Sequence, residues 1–445
     1  MASITFARAR FALGIALLPA LLLLPGLAHA QSNGDGSIYS RFGLGSLQNF
    51  SSPQSQAVGG GAYAVRSLNY NPTVNPALWS DQVYTRLSLG GSYETVRATT
   101  DQGNTSQLVA GTIEALQFSF PLYKRKLGVG LSFQPFTQHN YRSRQGGPLP
   151  GANGSSFDQS FRGGGGLYSA RGGLGYRINE ILRIGASVDV LFGILERKRN
   201  TTFEEDDGPQ EIRVSDKTRL AGVSGTLGAH LALAGVLTSD DALSIGGAVS
   251  LPTTLNGERV LIRSEQRGVS SDTLSGPIDG DVSIPWRGRL GVAYQPDGRW
   301  TITVDGLYEP WSAFSSSFSS PSAFGQGIPT GGEETLTDRW RVSTGTELVP
   351  AGDDQFTGYF QRVAYRLGAY TERLYVQPDG TTNLQTYAVT GGLSLPTALS
   401  GTRIDLNVRA GTRGTTADAL VRDRFYGVSL HVNFGEEWFQ ERKLR

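Results

Sequence analysis

Arg403-Ile404-Asp405-Leu406-Asn407-Val408-Arg409-Ala410 places a charged or amide side chain at every odd position and an apolar one at every even position. Successive side chains on a strand leave by opposite faces, so this segment has one apolar wall and one wet wall. A soluble sandwich produces the same pattern. Two further features decide between them: how often the pattern recurs, and what precedes it. Ile184, Ala186, Val188, Val190 and Phe192 alternate with Arg183, Gly185, Ser187 and Asp189. Tyr426, Val428, Leu430, Val432 and Phe434 alternate with Gly427, Ser429, His431 and Asn433. Such dyad alternation is weak evidence in one strand but cumulative over many, and it predicts an all-β transmembrane barrel.

Segments of strand length are expected near 82–97, 105–121, 126–142, 160–178, 181–203, 210–236, 242–263, 281–295, 299–313, 335–349, 357–377, 382–395, 401–413 and 420–434, about fourteen in all. Six connections look short: Tyr123-Lys124-Arg125, Asn179-Glu180, Thr238-Ser239-Asp240, Pro296-Asp297-Gly298, Ala351–Asp354 and Pro396–Gly401. They alternate with longer polar ones at Ser143–Ser160, Glu204–Gln210, Ser264–Gly280 and Ser315–Glu334. Outer-membrane barrels have short periplasmic turns and long extracellular loops, whereas a secreted multi-sheet protein has no reason to sort loops this way. Trp300 and Tyr308 share a face eight residues apart, which suits one aromatic at each membrane interface.

The first thirty residues read as a cleaved signal peptide. Arg8 and Arg10 form the positive region, Phe11–Gly26 the apolar core, and Ala28-His29-Ala30 the small-x-small cleavage site. No later run is long and apolar enough to span as a helix. Removing Arg8 and Arg10 from 40 basic residues leaves 38 against 39 acidic ones. That balance argues against a nucleic-acid partner. Cysteine is absent, which excludes disulfides, thiol chemistry and lipoprotein anchoring. With 59 Gly, many aromatics and few strong helix formers, composition favours an all-β protein.

Residues 31–81 differ from the strand region. They carry only Asp35, Arg41, Arg66 and Asp81 as charges, with Tyr39, Phe42, Phe50, Tyr70 and Trp79 and the Gly59-Gly60-Gly61 run. Disordered tails are charged and poor in aromatics, so a compact plug within the lumen is expected, with Arg41, Phe42 and Gly59–Gly61 as its structure. The domain division is therefore signal 1–30, plug 31–81, barrel 82–434 and a periplasmic tail 435–445.

Asn71-Pro72-Thr73-Val74-Asn75-Pro76-Ala77 follows the Gly-rich stretch and immediately precedes the first strand. This arrangement resembles the FadL/TodX-type outer-membrane transport family, whose N-terminal hatch ends in an Asn-Pro-Ala motif before a fourteen-stranded barrel. The matching positions here are Asn75, Pro76 and Ala77. Tyr39–Gly45 and Trp438–Lys443 look like the Bacteroidetes-type branch of that family. The resemblance implies passive uptake of hydrophobic molecules, a hatch that responds to ligand, and sideways exit at a distorted third strand. Pro135 interrupts the third segment and is the candidate for such a lateral-gate kink, because proline cannot donate to the ladder. Pro252 and Pro285 mark possible irregularities in the seventh and eighth.

The inferred lumen wall is mixed in charge, including Arg183, Asp189, Asp305, Arg366, Arg403, Asp405 and Arg409. A fatty-chain pocket is mostly apolar, so this wall is expected to hold the plug by ion pairs. Loops 264–280 and 315–334 are the candidate outer capture surface, with Phe314, Phe318 and Phe324 as apolar contacts. Expected partners are outer-membrane lipid, the barrel-assembly machinery and a hydrophobic small molecule. Alternatives are a non-transporting accessory barrel of a secretion or surface-assembly machine, or a plugged diffusion porin. Only His139, His230 and His431 remain after cleavage, none in a nucleophile motif or metal cluster. No catalytic residue, metal or cofactor is expected.

Overall fold

The computed structural model describes residues 36–148, 156–204, 210–265, 271–318, 335–352, 354, 356–399 and 401–437. The expected signal peptide, Phe324 and the end of the tail, including Trp438–Lys443, lie outside them. Fourteen antiparallel strands close into one barrel. In chain order they are β1 (Thr85–Thr99), β2 (Thr105–Tyr123), β3 (Leu127–Pro135, Thr137–Gln138 and Tyr141–Pro148), β4 (Ser156–Arg177) and β5 (Leu182–Glu204). Next come β6 (Gln210–Ala234), β7 (Ala242–Ser250 and Thr253–Glu265), β8 (Ser271–Ile284 and Arg287–Gln295) and β9 (Trp300–Glu309). The last five are β10 (Arg339–Leu348), β11 (Ala364–Arg373), β12 (Gln385–Pro396), β13 (Arg403–Arg413) and β14 (Arg422–Glu436). Pairing of β14 with β1, from Thr85↔Glu436 to Thr99↔Arg422, closes the cylinder. Among the described residues no helix is long and apolar enough to cross a membrane.

The two faces fall as the sequence requires. On β13, Leu406 and Val408 are 45% and 58% exposed on the outside, while Asp405 and Asn407 are 0% and 5% exposed on the inside. Trp300 and Tyr308 both lie on the outer face. The outer-membrane location follows from this apolar belt on a closed barrel with a wet interior.

All three prolines interrupt their strands. β3 breaks after Pro135, β7 at Leu251-Pro252 and β8 at Pro285-Trp286, since a residue without an N–H leaves a rung of the ladder empty. The wall is also uneven in height. β4, β5 and β6 run 22, 23 and 25 residues, against 10 for each of β9, β10 and β11. The short turns share one end, so the excess rises at the other, which is the extracellular end.

Three expected connections are corrected. Ser143–Ser160 is strand on either side of 149–155, paired from Ser143↔Phe161 to Pro148↔Ser156. Ser264–Gly280 is largely strand: β8 begins at Ser271 and pairs with β7 from Ser264↔Ser271 onward. Above the membrane no lipid demands an apolar face, so alternation fades although the ladder continues. Conversely, the turn expected at Ala351–Asp354 extends over 349–363, and β11 starts at Ala364, seven residues later than expected. The Ala351 N–H donates to the Gln361 carbonyl (2.7 Å), closing a loop whose 3-10 turn, Tyr359–Gln361, has strand-like composition.

Val408→Arg should impair barrel assembly by roughly 2–4 kcal/mol, the cost of a mid-bilayer cation on the lipid face. Arg409→Ser, one residue on and facing inward, should leave the folded yield unchanged. Heat-modifiable gel mobility of both variants checks this, and the reverse outcome would place the register one residue out.

Candidate functional site

Residues 36–82 fill the lumen, and wall glycines set where the backbone lies. Pro76–Asp81 forms a 3-10 turn capped by Asn75, whose Oδ1 accepts from the Ala77 N–H at 3.1 Å. Asn75 Nδ2 donates to the carbonyls of Tyr63 (3.2 Å) and of Ala229 on β6 (3.1 Å). A Cβ on Gly185 would come within 2.4 Å of the Pro76 carbonyl carbon, and one on Gly228 within 2.3 Å of Asn75 Oδ1. Gly128, Gly130 and Gly175 leave the corresponding room for Trp79 and Pro76. The abundance of inward glycine is thus a seat for the Asn75-Pro76-Ala77 turn.

The Gly59-Gly60-Gly61 run is held by side chains instead. Asp305 on β9 accepts from the N–H groups of Ala62 (2.7 Å) and Tyr63 (2.8 Å). Arg341 donates to the Gly59 carbonyl (2.7 Å), and Thr390 Oγ1 accepts from the Gly59 N–H (2.9 Å). Gly59 and Gly60 take φ of +89° and +83°, the left-handed region a side chain would strain.

Towards the outer end, Ile38, Phe42 and Leu44 join Phe136, Leu167, Leu191, Leu195, Leu220 and Trp311 in one apolar core. Tyr375 ties this stretch down: its hydroxyl accepts from the Leu44 N–H (3.0 Å) and donates to the Gly45 carbonyl (2.5 Å). Arg41 lies 4.6 Å over the Phe161 ring.

Around this segment many of the wall's charges are paired, although Arg289 and Arg86 keep buried guanidinium nitrogens without a hydrogen-bond partner among the described residues. Arg366 reaches Glu347 (2.5 Å) and Asp405 (2.8 Å), while Tyr70 donates to Asp405 (2.6 Å) and accepts from Arg366 (2.8 Å). Arg403 donates to Ser394 Oγ (2.7 Å), and Arg409 pairs with Glu94. Arg183 and Arg66 both donate to Asp81, at 2.8 and 2.7 Å. Burial alone would raise the Asp81 carboxyl, but the Arg66 and Arg183 guanidinia hold it below its ordinary value.

The third strand breaks the ladder of the cylinder and turns inward. β2 and β3 pair from Tyr123↔Leu127 only as far as Leu116↔Phe133. Beyond that, β2 pairs only with β1, and Tyr141–Pro148 pairs only with β4. The chain between turns inward, where Thr137 and Gln138 form a two-stranded ladder with Ser46-Leu47 of the lumenal segment. Gln138 Nε2 donates across the seam to Thr112 Oγ1 (2.9 Å). Glu114 on β2 is the extra residue of a bulge, for Gly90 faces Ala115 and Gly91 faces Ile113. It accepts from Gln56 (2.7 Å) and lies 2.8 Å from His431, on which Phe50 stacks. A cavity of about 170 Å3 adjoins the seam, bordered by Ala110, Thr112, Glu114, Pro135 and Gln138.

The capture residues are placed differently from expectation. Phe318 is buried against Gly280, and Phe314 packs on Trp311 (6.0 Å), so both belong to the interior packing of the rim. Sequence reading missed Glu114, Gln138 and Tyr375, and took Tyr70 only as one of the plug's aromatics. Only Glu114 left a trace. Inward residues are even-numbered from Leu108 to Glu114 and odd-numbered from Ala115 to Ser119, and that change of parity is a bulge.

Against known families, the BamG model matches residues 15–445. The chain belongs to the BamG family. A search of curated proteins gave no significant match. Among solved structures, this BamG-family barrel is similar to a Pseudomonas aeruginosa FadL homologue (12% identity, TM-score 0.57, covering 88% of this chain and 99% of that one). It is also similar to the P. putida toluene transporter TodX (17%, 0.54, 88% and 100%) and the Ralstonia pickettii toluene transporter TbuX (17%, 0.52, 87% and 98%). At such identities the likeness is one of fold.

Asp305→Ala in this BamG-family barrel should orphan two N–H groups and destabilise the Gly59–Tyr63 loop by about 3 kcal/mol. Faster hydrogen exchange at residues 59–65, with the barrel still heat-modifiable, is the expected result. Asp81 has a folded pKa below its unfolded value of about 3.9. Its stabilisation is therefore complete above about pH 4 and is lost as the pH falls through the folded value. Amides of residues 76–82 should keep their protection at pH 5 and lose it only in stronger acid.

Proposed function

We propose that this barrel is a closed, hatch-gated outer-membrane channel for hydrophobic small molecules, which leave sideways between β2 and β3. The observation that carries the reading is the seam itself: the ladder stops at Leu116↔Phe133, and the edge residues beyond it border the interior cavity. Pro135 is the residue at which β3 leaves the wall, the role of a lateral-gate kink. The hatch, residues 36–81, is coupled to that kink because Ser46-Leu47 is hydrogen-bonded to Thr137-Gln138. Withdrawal of Ile38–Leu44 would uncover a chamber walled by Phe136, Leu167, Leu191, Leu195, Leu220 and Trp311, which is the apolar lining a hydrophobic ligand needs. The printed descriptions of TodX and TbuX as toluene transporters support the same ligand class. Capture at the outer rim would use Phe314 and Phe318 only after they leave their present packing. The motifs Tyr39–Gly45 and Trp438–Lys443 support the Bacteroidetes-type branch, and the alternating final strand supports delivery by the barrel-assembly machinery.

A second reading is an accessory barrel that transports nothing. It is favoured by the cavity, whose 170 Å3 lies below the roughly 300 Å3 floor of small-molecule sites. Its border also carries Glu94, Glu114, Arg341, Glu372 and Arg409.

The chain lacks cysteine, so Thr112→Cys with Gln138→Cys gives a clean tether across the seam. Under the channel reading, oxidised double-cysteine barrel in liposomes takes up toluene or oleate at least about tenfold more slowly than the reduced form. Equal uptake in both states would remove lateral exit. No uptake or binding of either ligand by wild-type barrel would favour the accessory reading.

A further inference from the structure

On the outer face of β5, Ile184, Val188, Val190, Phe192 and Ile194 are all exposed. From 184 to 194 is about 33 Å of strand, or about 25 Å along the membrane normal at a tilt near 40°, the height of the hydrocarbon band. Just beyond Ile194 the same face turns charged. Cross-strand register places Arg219 beside Ile194, Lys217 beside Glu196, and Arg162 beside Lys198, with Arg142 next to Arg162. Their inward neighbours fix the orientation. A Cβ on Gly163 would strike Tyr141 inside the barrel, and Arg197 donates to the Gly43 carbonyl (3.3 Å). Arg142, Arg162, Lys198, Lys217 and Arg219 therefore face outward, at the extracellular edge of the lipid-facing band.

This patch is poorly neutralised. Glu196 is shared by Lys198 (3.1 Å) and Lys217 (3.3 Å). Arg162 and Arg219 have no ion-pair partner among the described residues, whereas Arg144 and Arg213 nearby pair with Asp158 and Glu211. Arg162 stands directly opposite Lys198, and like charges directly opposite one another destabilise a sheet. An external anion removes that cost. Below the cations, Phe133, Tyr168 and Phe192 form an outward aromatic cluster with ring centroids 5.4, 6.3 and 6.5 Å apart. Phe133 is also the last β3 residue paired with β2 before the seam.

We propose that the outer face of β3–β6 docks a phosphorylated glycolipid of the outer leaflet. Arg142, Arg162, Lys198, Lys217 and Arg219 hold its phosphates, and Phe133, Tyr168 and Phe192 lie under its acyl chains. Guanidinium forks match phosphate oxygens bidentately, which suits the three arginines. A soluble anion would use the cations but leave the aromatic platform idle; the contiguity of the two favours a lipid.

Native mass spectrometry of the purified full-length barrel tests this with bisphosphorylated lipid A, fully dephosphorylated lipid A and inorganic pyrophosphate. Each surface cation near lipid phosphate contributes about fivefold in affinity. The triple variant Arg162→Gln/Lys198→Gln/Arg219→Gln should therefore bind bisphosphorylated lipid A at least about tenfold more weakly than wild type. Arg144→Gln should bind normally, and wild-type barrel should bind dephosphorylated lipid A no better than the triple variant does. All variants should retain heat-modifiable mobility, because these side chains stand outside the barrel core. Equal affinity of wild type and triple variant, or equal affinity for the two lipids, would overturn the proposal. Displacement of the lipid by equimolar pyrophosphate would overturn the lipid source in favour of a free-phosphate site.

Discussion

Everything in this molecule answers to the demand that a backbone in lipid satisfy its own hydrogen bonds. A closed sheet does so, but closing fourteen strands creates an interior too wide for its own side chains to fill. The lumenal segment is the remedy, and it brings a second demand, because its irregular backbone has N–H and C=O groups to satisfy inside the barrel. Asp305, Arg341, Thr390 and Asn75 meet that demand, while wall glycines allow the backbones to approach closely.

The charged wall follows from the same demand. Hydrogen-bonding an irregular segment from outside requires polar side chains at lumenal positions, and charges taken out of water must then find partners. Arg366, Asp405, Tyr70 and Glu347 form such a closed set, as do Arg183, Arg66 and Asp81. A lumen lined by Arg and Asp therefore marks a plugged barrel here rather than an aqueous pore. The largest apolar cluster lies in the outer half, where Ile38–Leu44 packs among side chains of the wall.

The seam is the point at which the primary demand is relaxed. At Pro135 the third strand leaves the sheet, and its next residues pair with the lumenal segment instead of with β2. The unpaired edge of β2 is kept usable by the Glu114 bulge, which shifts the inward set by one residue and leaves both halves of the strand facing correctly. Plug, kink and bulge are joined by hydrogen bonds at that place.

The alternation at Arg403–Ala410, repeated from strand to strand behind a secretion-signal pattern and with alternating loop lengths, determined an outer-membrane barrel and its inward and outward faces, and the prolines themselves marked the interruptions at Pro135, Pro252 and Pro285. Local chemistry controls all of these: a two-residue period, a hydrocarbon solvent and a missing N–H. The Asn75-Pro76-Ala77 turn and the Gly59–Gly61 run were also visible as unusual sequence. Sequence failed where no lipid enforces a pattern, as in the tall ends of β7 and β8 and the 349–363 connection. It failed again where partners, from tens to hundreds of residues apart, are brought together only by the fold. That Asp305 cradles Ala62 and Tyr63, that Tyr375 grips Gly45, and that Gln138 meets Thr112 across a seam are facts of barrel closure. Only the tertiary structure decided them, because strand register and the path of the plug, not neighbouring residues, bring those atoms within reach.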